Sequence, residues 1–186
     1  MSTNSMNDTV ADEHLMLLVA QGDERAYNLL YTRYAKRLCG FFVRMLVCSI
    51  DEAKDYVQEL FIRVYEYRRN YNGENFGSWL YSIAYNMCKN ELRHREVHKR
   101  FESLHSEEET VEQSELQDRE FLTRMLHNTI DSLPQAHREV FILRYIEERS
   151  TSEVALITDV PEGTIKSRLH YGRASLCILQ DLYCNP

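Results

Sequence analysis

Apolar residues recur at α-helical spacing through most of this chain, and this periodicity restricts the possible folds more than any other feature. In the first hundred residues no stretch shows the clean alternation of apolar and polar residues that a half-buried β-strand requires. Glycine and proline are scarce, with 6 Gly and 3 Pro among 186 residues, which argues against a loop-rich chain. The sequence therefore predicts an all-α protein.

Negative charge is concentrated in one segment that interrupts the helical pattern. The chain carries a net charge of −7, and residues 101–125 alone hold two Arg against eight acidic residues. Such a segment repels itself and buries too little apolar surface to fold alone. We predict two small helical domains, at residues 10–98 and 119–184, joined by a flexible acidic linker at residues 99–118. A solvated helix face is the alternative interpretation of the linker.

Helix boundaries and a core are visible in the first domain. Gly22 ends a short helix, and Asp23 is suited to cap the next one by accepting from free backbone N–H groups. A third helix is expected to begin near Asp51. The apolar positions of these two longer helices share one face each and are predicted to be buried: Leu30, Tyr34, Leu38, Phe41 and Met45, then Val57, Leu60, Phe61 and Val64.

A basic and aromatic loop at residues 68–76 precedes a helix from Ser78 to about His98. Asn72-Gly73 in the loop is a turn signal. Asn86, Asn90 and Arg93 share one helix face, with Lys89 beside them. Amides, cations and an aromatic loop suit single-stranded or partly melted nucleic acid. Composition alone favours the plainer alternative, a solvated helix face beside an ordinary turn.

The second domain has a helix-turn-helix pattern. Pro134 fits the first position of a helix that continues to about Glu147. A short helix at 152–158 and a turn at 159–160 lead into a last helix at about 161–179. Four residues of that helix are predicted to be buried: Ile165, Leu169, Gly172 and Leu176. Small polar and basic residues point outward, as in a recognition helix of the DNA major groove: Thr164, Lys166, Ser167, Arg168, His170 and Tyr171.

Four sequence blocks, in this order, resemble the extracytoplasmic-function group of the sigma-70 family, the minimal bacterial transcription initiation factors. Residues 28–34, NLLYTRY, resemble the start of sigma region 2. Residues 51–61, DEAKDYVQELF, are similar to its polymerase-binding segment, and residues 79–86, WLYSIAYN, to its promoter-melting helix. Residues 163–169, GTIKSRL, are close to a motif of region 4.

The resemblance implies partners and residue roles. The expected partners are core RNA polymerase, promoter DNA and an anti-sigma factor. Core polymerase would be bound by Asp51, Asp55, Gln58 and Glu59. The melted −10 element would be bound by Tyr71, Asn72, Gly73, Asn86, Lys89, Asn90 and Arg93, with a flipped base stacked on Tyr71. The −35 duplex would be bound by Thr164, Lys166, Ser167, Arg168, His170 and Arg173.

Four positions depart from the family pattern. Asn90 stands where many members have Asp, and Asp159 stands where a turn glycine is frequent. Tyr171-Gly172 replaces an Arg-Ala pair, which removes one cation and puts a glycine into a helix. We therefore expect altered or weaker −35 contacts.

Other classes of protein fit the sequence less well. No run of about 18 apolar residues indicates a membrane span, and no secretory signal is recognisable. The five cysteines form no CxxC pair, which favours free thiols in a cytoplasmic protein. His94 and His98 lie four residues apart, but Arg95 replaces the Glu that a zinc-protease motif needs. We expect no enzyme activity, metal, cofactor or small-molecule substrate.

Two non-enzymatic alternatives stay open on the residues alone. A dimeric helix-turn-helix repressor would use the last 60 residues identically, but it would leave residues 51–61 and 71–90 unexplained. An interaction module that binds no DNA would be unaffected by removing Lys166 and Arg168.

Overall fold

The structure, a computed structural model, describes residues 10–102 and 133–184. Within these ranges every regular element is helical, which confirms the all-α prediction. The chain divides into two compact units, and the main boundary between them falls after Leu92.

The first unit contains three complete helices, one short helical turn and the part of a fourth helix up to Leu92. They are α1 (Asp12–Ala20), α2 (Glu24–Leu46), α3 (Ile50–Tyr67), a 3₁₀ turn (Arg68–Asn70) and α4 (Phe76–Glu102). Helix α2 packs against both α1 and α3, and α1 also contacts the 3₁₀ turn.

Local capping residues set the helix starts in this unit. Gly22 follows α1 with φ +94°, and the Asp23 carboxylate accepts from the N–H groups of Arg25 and Ala26 at the start of α2. Ser49 and Glu52 form a reciprocal capping box at the start of α3. Because each cap satisfies backbone donors that have no partner inside the helix, the starts are well defined. The predictions for Gly22 and Asp23 are confirmed.

The core of the first unit lies on the faces that the periodicity indicates. Nearly all the predicted core residues are fully buried, each worth about 1.5–3 kcal/mol relative to an exposed side chain. Tyr34 is only half-buried, and its hydroxyl donates at 2.5 Å to Oδ2 of Asp12, whose side chain is itself partly exposed. The buried side chains from α2, α3 and α4 include Leu30, Leu38, Phe41, Met45, Val57, Leu60, Phe61, Val64, Leu80, Ala84, Met87 and Cys88.

The second unit contains α5 (Gln135–Phe141), which continues as a π-helical turn (Ile142–Ile146), then α6 (Thr151–Thr158) and α7 (Glu162–Cys184). Helix α5 packs against α7. In the π turn, the N–H of Glu147 donates to the carbonyl of Ile142 at 2.9 Å, five residues back.

Several predicted boundaries differ from the observed ones. Pro134 is the N-cap of α5 and not its first residue, because its ψ of 140° is extended. Helix α4 continues to residue 102, so the first four residues of the predicted linker are helical, and α7 continues to Cys184. The rest of the linker and the predicted helix at about 120–130 lie outside the described residues.

Candidate nucleic-acid interface

One face of α4 carries the four polar side chains that the sequence singled out. Asn86, Lys89, Asn90 and Arg93 are all exposed. At 100° per residue they fall within an arc of about 100° around the helix axis. The structure therefore brings these four residues together as one polar strip of amides and cations.

The loop before α4 is shaped by its own hydrogen bonds. The N–H of Glu74 donates to Asn72 Oδ1 at 3.1 Å, and Gly73 takes the left-handed φ of +83° that a side chain disfavours. Upstream, the Arg68 guanidinium lies 3.9 Å from the centre of the Tyr65 ring. Asn72 and Gly73 are exposed, so the turn prediction is confirmed and both residues are accessible to a ligand.

Tyr71 lies largely buried between the loop and the start of α4. Its side chain is only 9% exposed, and its hydroxyl donates to the carbonyl of Glu74. Its ring centre lies 5.3 Å from that of Trp79 and 6.1 Å from that of Phe76. Burial, together with the nearby Glu13 carboxylate, raises the pKa of Tyr71 to about 12. The packing against Trp79 and Phe76 therefore covers most of the Tyr71 ring, on which the sequence predicts that a flipped base stacks.

The N-terminus of α4 receives two side-chain acceptors from different parts of the chain. Asn75 Oδ1 accepts from the N–H of Ser78 at 2.8 Å. Glu13 Oε1, on α1, accepts from the N–H of Phe76 at 3.0 Å. The sequence predicted neither acceptor, and a contact between residues 63 positions apart leaves no local sequence signal.

The predicted polymerase-binding residues lie along α3. Asp51, Asp55, Gln58 and Glu59 are all exposed. Asp51 Oδ1 accepts from Lys54 Nζ at 2.7 Å, and this hydrogen bond lowers the pKa of Asp51. Two of the four side chains therefore have a cation on the same helix, since Glu59 also pairs with an arginine, Arg63, at 2.5 Å.

Helices α6 and α7 form the predicted helix-turn-helix. Ser150 and Glu153 cap α6 reciprocally, with backbone-to-side-chain distances of 2.8 and 3.2 Å. Asp159 takes the left-handed φ of +55°, and the N–H of Val160 donates back to the carbonyl of Ala155 at 3.1 Å. Such a bond after a left-handed residue is the Schellman ending of a helix.

The outer face of α7 has the predicted composition. Ile165, Leu169 and Gly172 are buried, as predicted, whereas the side chain of Leu176 is outside the described residues. Arg168 is half-buried, and Lys166 lies 3.5 Å from Glu162. The exposed side chains are Thr164, Lys166, Ser167, His170, Tyr171 and Arg173.

No metal site and no membrane span are found in the part of the chain that the structure describes. The rings of His94 and His98 lie 4.5 Å apart, but no group of three or more His, Cys, Asp or Glu residues there is suited to hold a metal ion. No helix in residues 10–102 and 133–184 combines the length and apolar character that crossing a membrane requires.

Comparison with known proteins gives matches to both halves of the chain. "Sigma-70 region 2" matches residues 30–97, and "Sigma-70, region 4" matches residues 123–176. The RNA polymerase sigma-H factor of Pseudomonas aeruginosa is 32% identical over 177 residues, which cover 89% of this chain and 91% of that protein. The ECF RNA polymerase sigma-E factor of Escherichia coli K12 is 31% identical over 183 residues, covering 92% and 95%.

Two solved structures share the fold at 22% sequence identity. CnrH, solved with the cytosolic domain of CnrY, has a TM-score of 0.71. The match covers 94% of this chain and 99% of the CnrH chain. The sigma factor RpoE of Bartonella quintana, solved with the anti-sigma factor NepR, has a TM-score of 0.67. The match covers 86% of this chain and 97% of the RpoE chain. The chain belongs to the extracytoplasmic-function group of the sigma-70 family, and it is a sigma factor that directs RNA polymerase to promoters.

Proposed function

We propose that this sigma factor contacts a promoter through two separate faces, one on each unit. The outer face of α7 would hold the −35 element as duplex DNA. The polar strip of α4 and the loop before it would hold one strand of the melted −10 element. The supporting observation is that two exposed clusters, of amides and cations on α4 and of hydroxyls and cations on α7, each lie on a helix whose opposite face is buried.

Contacts of α7 suit a double-stranded element. Ser167 and Thr164 hydroxyls reach base edges in the major groove, while Lys166, Arg168 and Arg173 reach phosphates. Free of polymerase, the chain has a net charge of −7 and little general attraction for DNA. We therefore expect tight promoter binding only when polymerase holds the chain on the DNA.

Contacts of α4 suit a single strand. Asn86 and Asn90 amides can hydrogen-bond to unpaired base edges, and Lys89 and Arg93 can neutralise the backbone of the same strand. Asn72 and Gly73 offer exposed loop backbone just before the start of the same helix. Because Tyr71 is buried, we assign it to the scaffold of the loop and not to base stacking.

The α3 face is our proposed docking site for core polymerase. Asp51, Asp55, Gln58 and Glu59 present carboxylates and an amide to solvent along this helix. Binding would exchange the intrahelical partners Lys54 and Arg63 for groups on polymerase. Because exposed ion pairs contribute little to stability, this exchange costs little free energy.

Complexes of two proteins with the same fold support a proposal about regulation and location. CnrH was solved with the cytosolic domain of CnrY, and the sigma factor RpoE was solved with the anti-sigma factor NepR. We propose that an anti-sigma factor also holds this chain inactive. We further propose that it acts in the cytoplasm, without enzyme activity, cofactor or metal.

The two proposed DNA sites are tested by measuring the affinity of each variant for each of two DNA probes. Holoenzymes would carry wild-type chain, Lys166→Ala with Arg168→Ala, or Asn86→Ala with Asn90→Ala. Each would be titrated with a −35 duplex and with a single-stranded −10 oligonucleotide from a promoter that this factor transcribes. Each pair of substitutions then serves as the control for the other.

We expect the first pair to weaken duplex binding and to lower its salt slope by about two, one for each phosphate contact. The second pair should weaken binding of the single strand about tenfold or more. Equal losses on both probes, or no loss on either, would contradict the assignment.

A further inference from the structure

Glu13, in the first turn of α1, accepts a hydrogen bond at the start of the helix proposed to hold the −10 strand. Its Oε1 lies 3.0 Å from the backbone nitrogen of Phe76, the first residue of α4. The Phe76 side chain is fully buried. The N–H of the first residue of a helix has no partner within its own helix, so this part-buried bond satisfies a donor whose loss of a partner would destabilise the fold.

Helix α1 is itself anchored on α2 at this end. Asp12 accepts from Arg33, and from the Tyr34 hydroxyl at 2.5 Å. Arg33 also donates to the carbonyl of Val10 at 2.7 Å. The Glu13 carboxylate is therefore presented to α4 from a backbone segment that hydrogen bonds fix in place.

Aromatic contacts continue from Phe76 into the loop. The Phe76 ring centre lies 5.4 Å from that of Tyr34 and 6.1 Å from those of Tyr71 and Trp79. Tyr71 in turn donates to the carbonyl of Glu74. Displacement of Phe76 would thus move the packing that holds residues 71–75.

We propose that Glu13 is a positioning residue for −10 strand capture. By holding the N–H of Phe76 it fixes the start of α4, and through Phe76 and Tyr71 it fixes the loop that presents Asn72 and Gly73. The inference rests on the proposed −10 role of this loop. Helix α1 lies before residues 30–97, the segment that matches sigma-70 region 2.

The experiment compares four variants as holoenzymes with core RNA polymerase. Glu13→Ala removes the acceptor, Glu13→Asp shortens its reach, and Glu13→Gln keeps an oxygen that can accept from an N–H. His14→Ala, at an exposed position of the same helix, is the matched control. Three affinities are measured for each: core polymerase, a −35 duplex and a single-stranded −10 oligonucleotide.

We expect Glu13→Ala to weaken binding of the −10 strand about tenfold, and Glu13→Asp to weaken it less. Affinities for core polymerase and for the −35 duplex should stay within about twofold. Glu13→Gln and His14→Ala should behave like wild type. Emission from Trp79, the single tryptophan, reports whether each variant is folded around the loop.

Each other result has a defined meaning. Wild-type affinity for the −10 strand in Glu13→Ala, or equal losses on all three ligands, overturns the positioning role. If Glu13→Ala does not fold, Glu13→Asp decides between the same outcomes. If wild-type holoenzyme fails to prefer the −10 strand over a permuted sequence, the proposed function of the loop fails instead.

Discussion

Gly172 is a buried helix position at which a larger residue is expected to improve stability. A Cβ there would lie 3.7 Å from Phe141 Cδ2 and 3.9 Å from Leu133 Cδ1, which is ordinary van der Waals contact. Alanine also has a helix propensity about 1 kcal/mol better than glycine. We predict that Gly172→Ala raises the free energy of unfolding of the second unit by about 0.5–1 kcal/mol, as measured by denaturant titration.

Gly73→Ala is the matched control, because space is open around Gly73 but its φ is +83°. Here the same substitution should destabilise the first unit, since alanine disfavours the left-handed region. A loss of stability in Gly172→Ala would show that the contacts with Phe141 and Leu133 are tighter than described.

Tyr71 gives the first unit a dependence on alkaline pH. Its pKa is about 12 in the folded chain, against about 10 for an unfolded tyrosine. Between these values the unfolded chain loses the phenolic proton while the folded chain keeps it. The free energy of unfolding therefore falls as pH rises from 10 to 12, by about 2 kcal/mol in total, and is unaffected by this group below pH 10.

Tyr71→Phe removes this component. We predict that the variant is about 1 kcal/mol less stable at pH 8, because the bond to the Glu74 carbonyl is lost. Its stability should decline less steeply than that of wild type above pH 10. Unfolding followed by Trp79 fluorescence at several pH values measures both, and parallel slopes would count against a buried Tyr71.

Tyr171, on α7, occupies the position at which the family pattern of the sequence analysis has an arginine. Its side chain is 63% exposed, so an arginine fits without disturbing the core. We predict that Tyr171→Arg tightens −35 duplex binding by holoenzyme and increases the salt slope by about one. Unchanged affinity and slope would show that this position does not face phosphates.

The turn of the helix-turn-helix depends on a residue in the left-handed region. Asp159 holds φ at +55° so that Val160 can close the end of α6. Because glycine adopts this conformation at less cost, Asp159→Gly should stabilise the second unit by up to about 1 kcal/mol. Asp159→Val should destabilise it, and thermal unfolding of the two variants gives the comparison. Equal stability of both variants would contradict the described turn.

Helices were predictable where local patterns define them. Neighbouring residues determine the Asp23 cap, the helix end at Gly22 and the 3.6-residue repeat of apolar positions. The structure confirms all three. The π turn at Ile142–Ile146 and the extension of α4 to Glu102 were not predicted. In the π turn the backbone hydrogen bonds shift by one residue, and at the end of α4 they continue past the predicted boundary. The spacing of apolar residues indicates neither.

For the candidate site, the sequence predicts which helix faces carry the polar residues but not which side chains the packing buries. Exposure of Asn86, Lys89, Asn90 and Arg93 follows from helical spacing alone. Burial of Tyr71 and the bond from Phe76 to Glu13 depend on tertiary contacts with α1 and Trp79. An exposed aromatic loop residue and a buried one have the same sequence signature, so only the packing distinguishes them.

For the whole molecule, charge determines how the two units can act. Most of the net charge of −7 lies at residues 101–125, while the exposed faces of α4 and α7 each carry basic residues. Local cations can hold DNA that polymerase has already placed nearby, but the net charge opposes capture of free DNA. We therefore expect that the isolated chain binds promoters weakly at physiological salt.

The most direct measurement is transcription by purified core RNA polymerase, with and without this chain, on a library of candidate promoters. We predict transcripts that depend on the added chain and start at defined sites, from which the −35 and −10 sequences can be read together. Absence of such transcripts, combined with failure of the chain to co-elute with core polymerase, would contradict its action as a sigma factor.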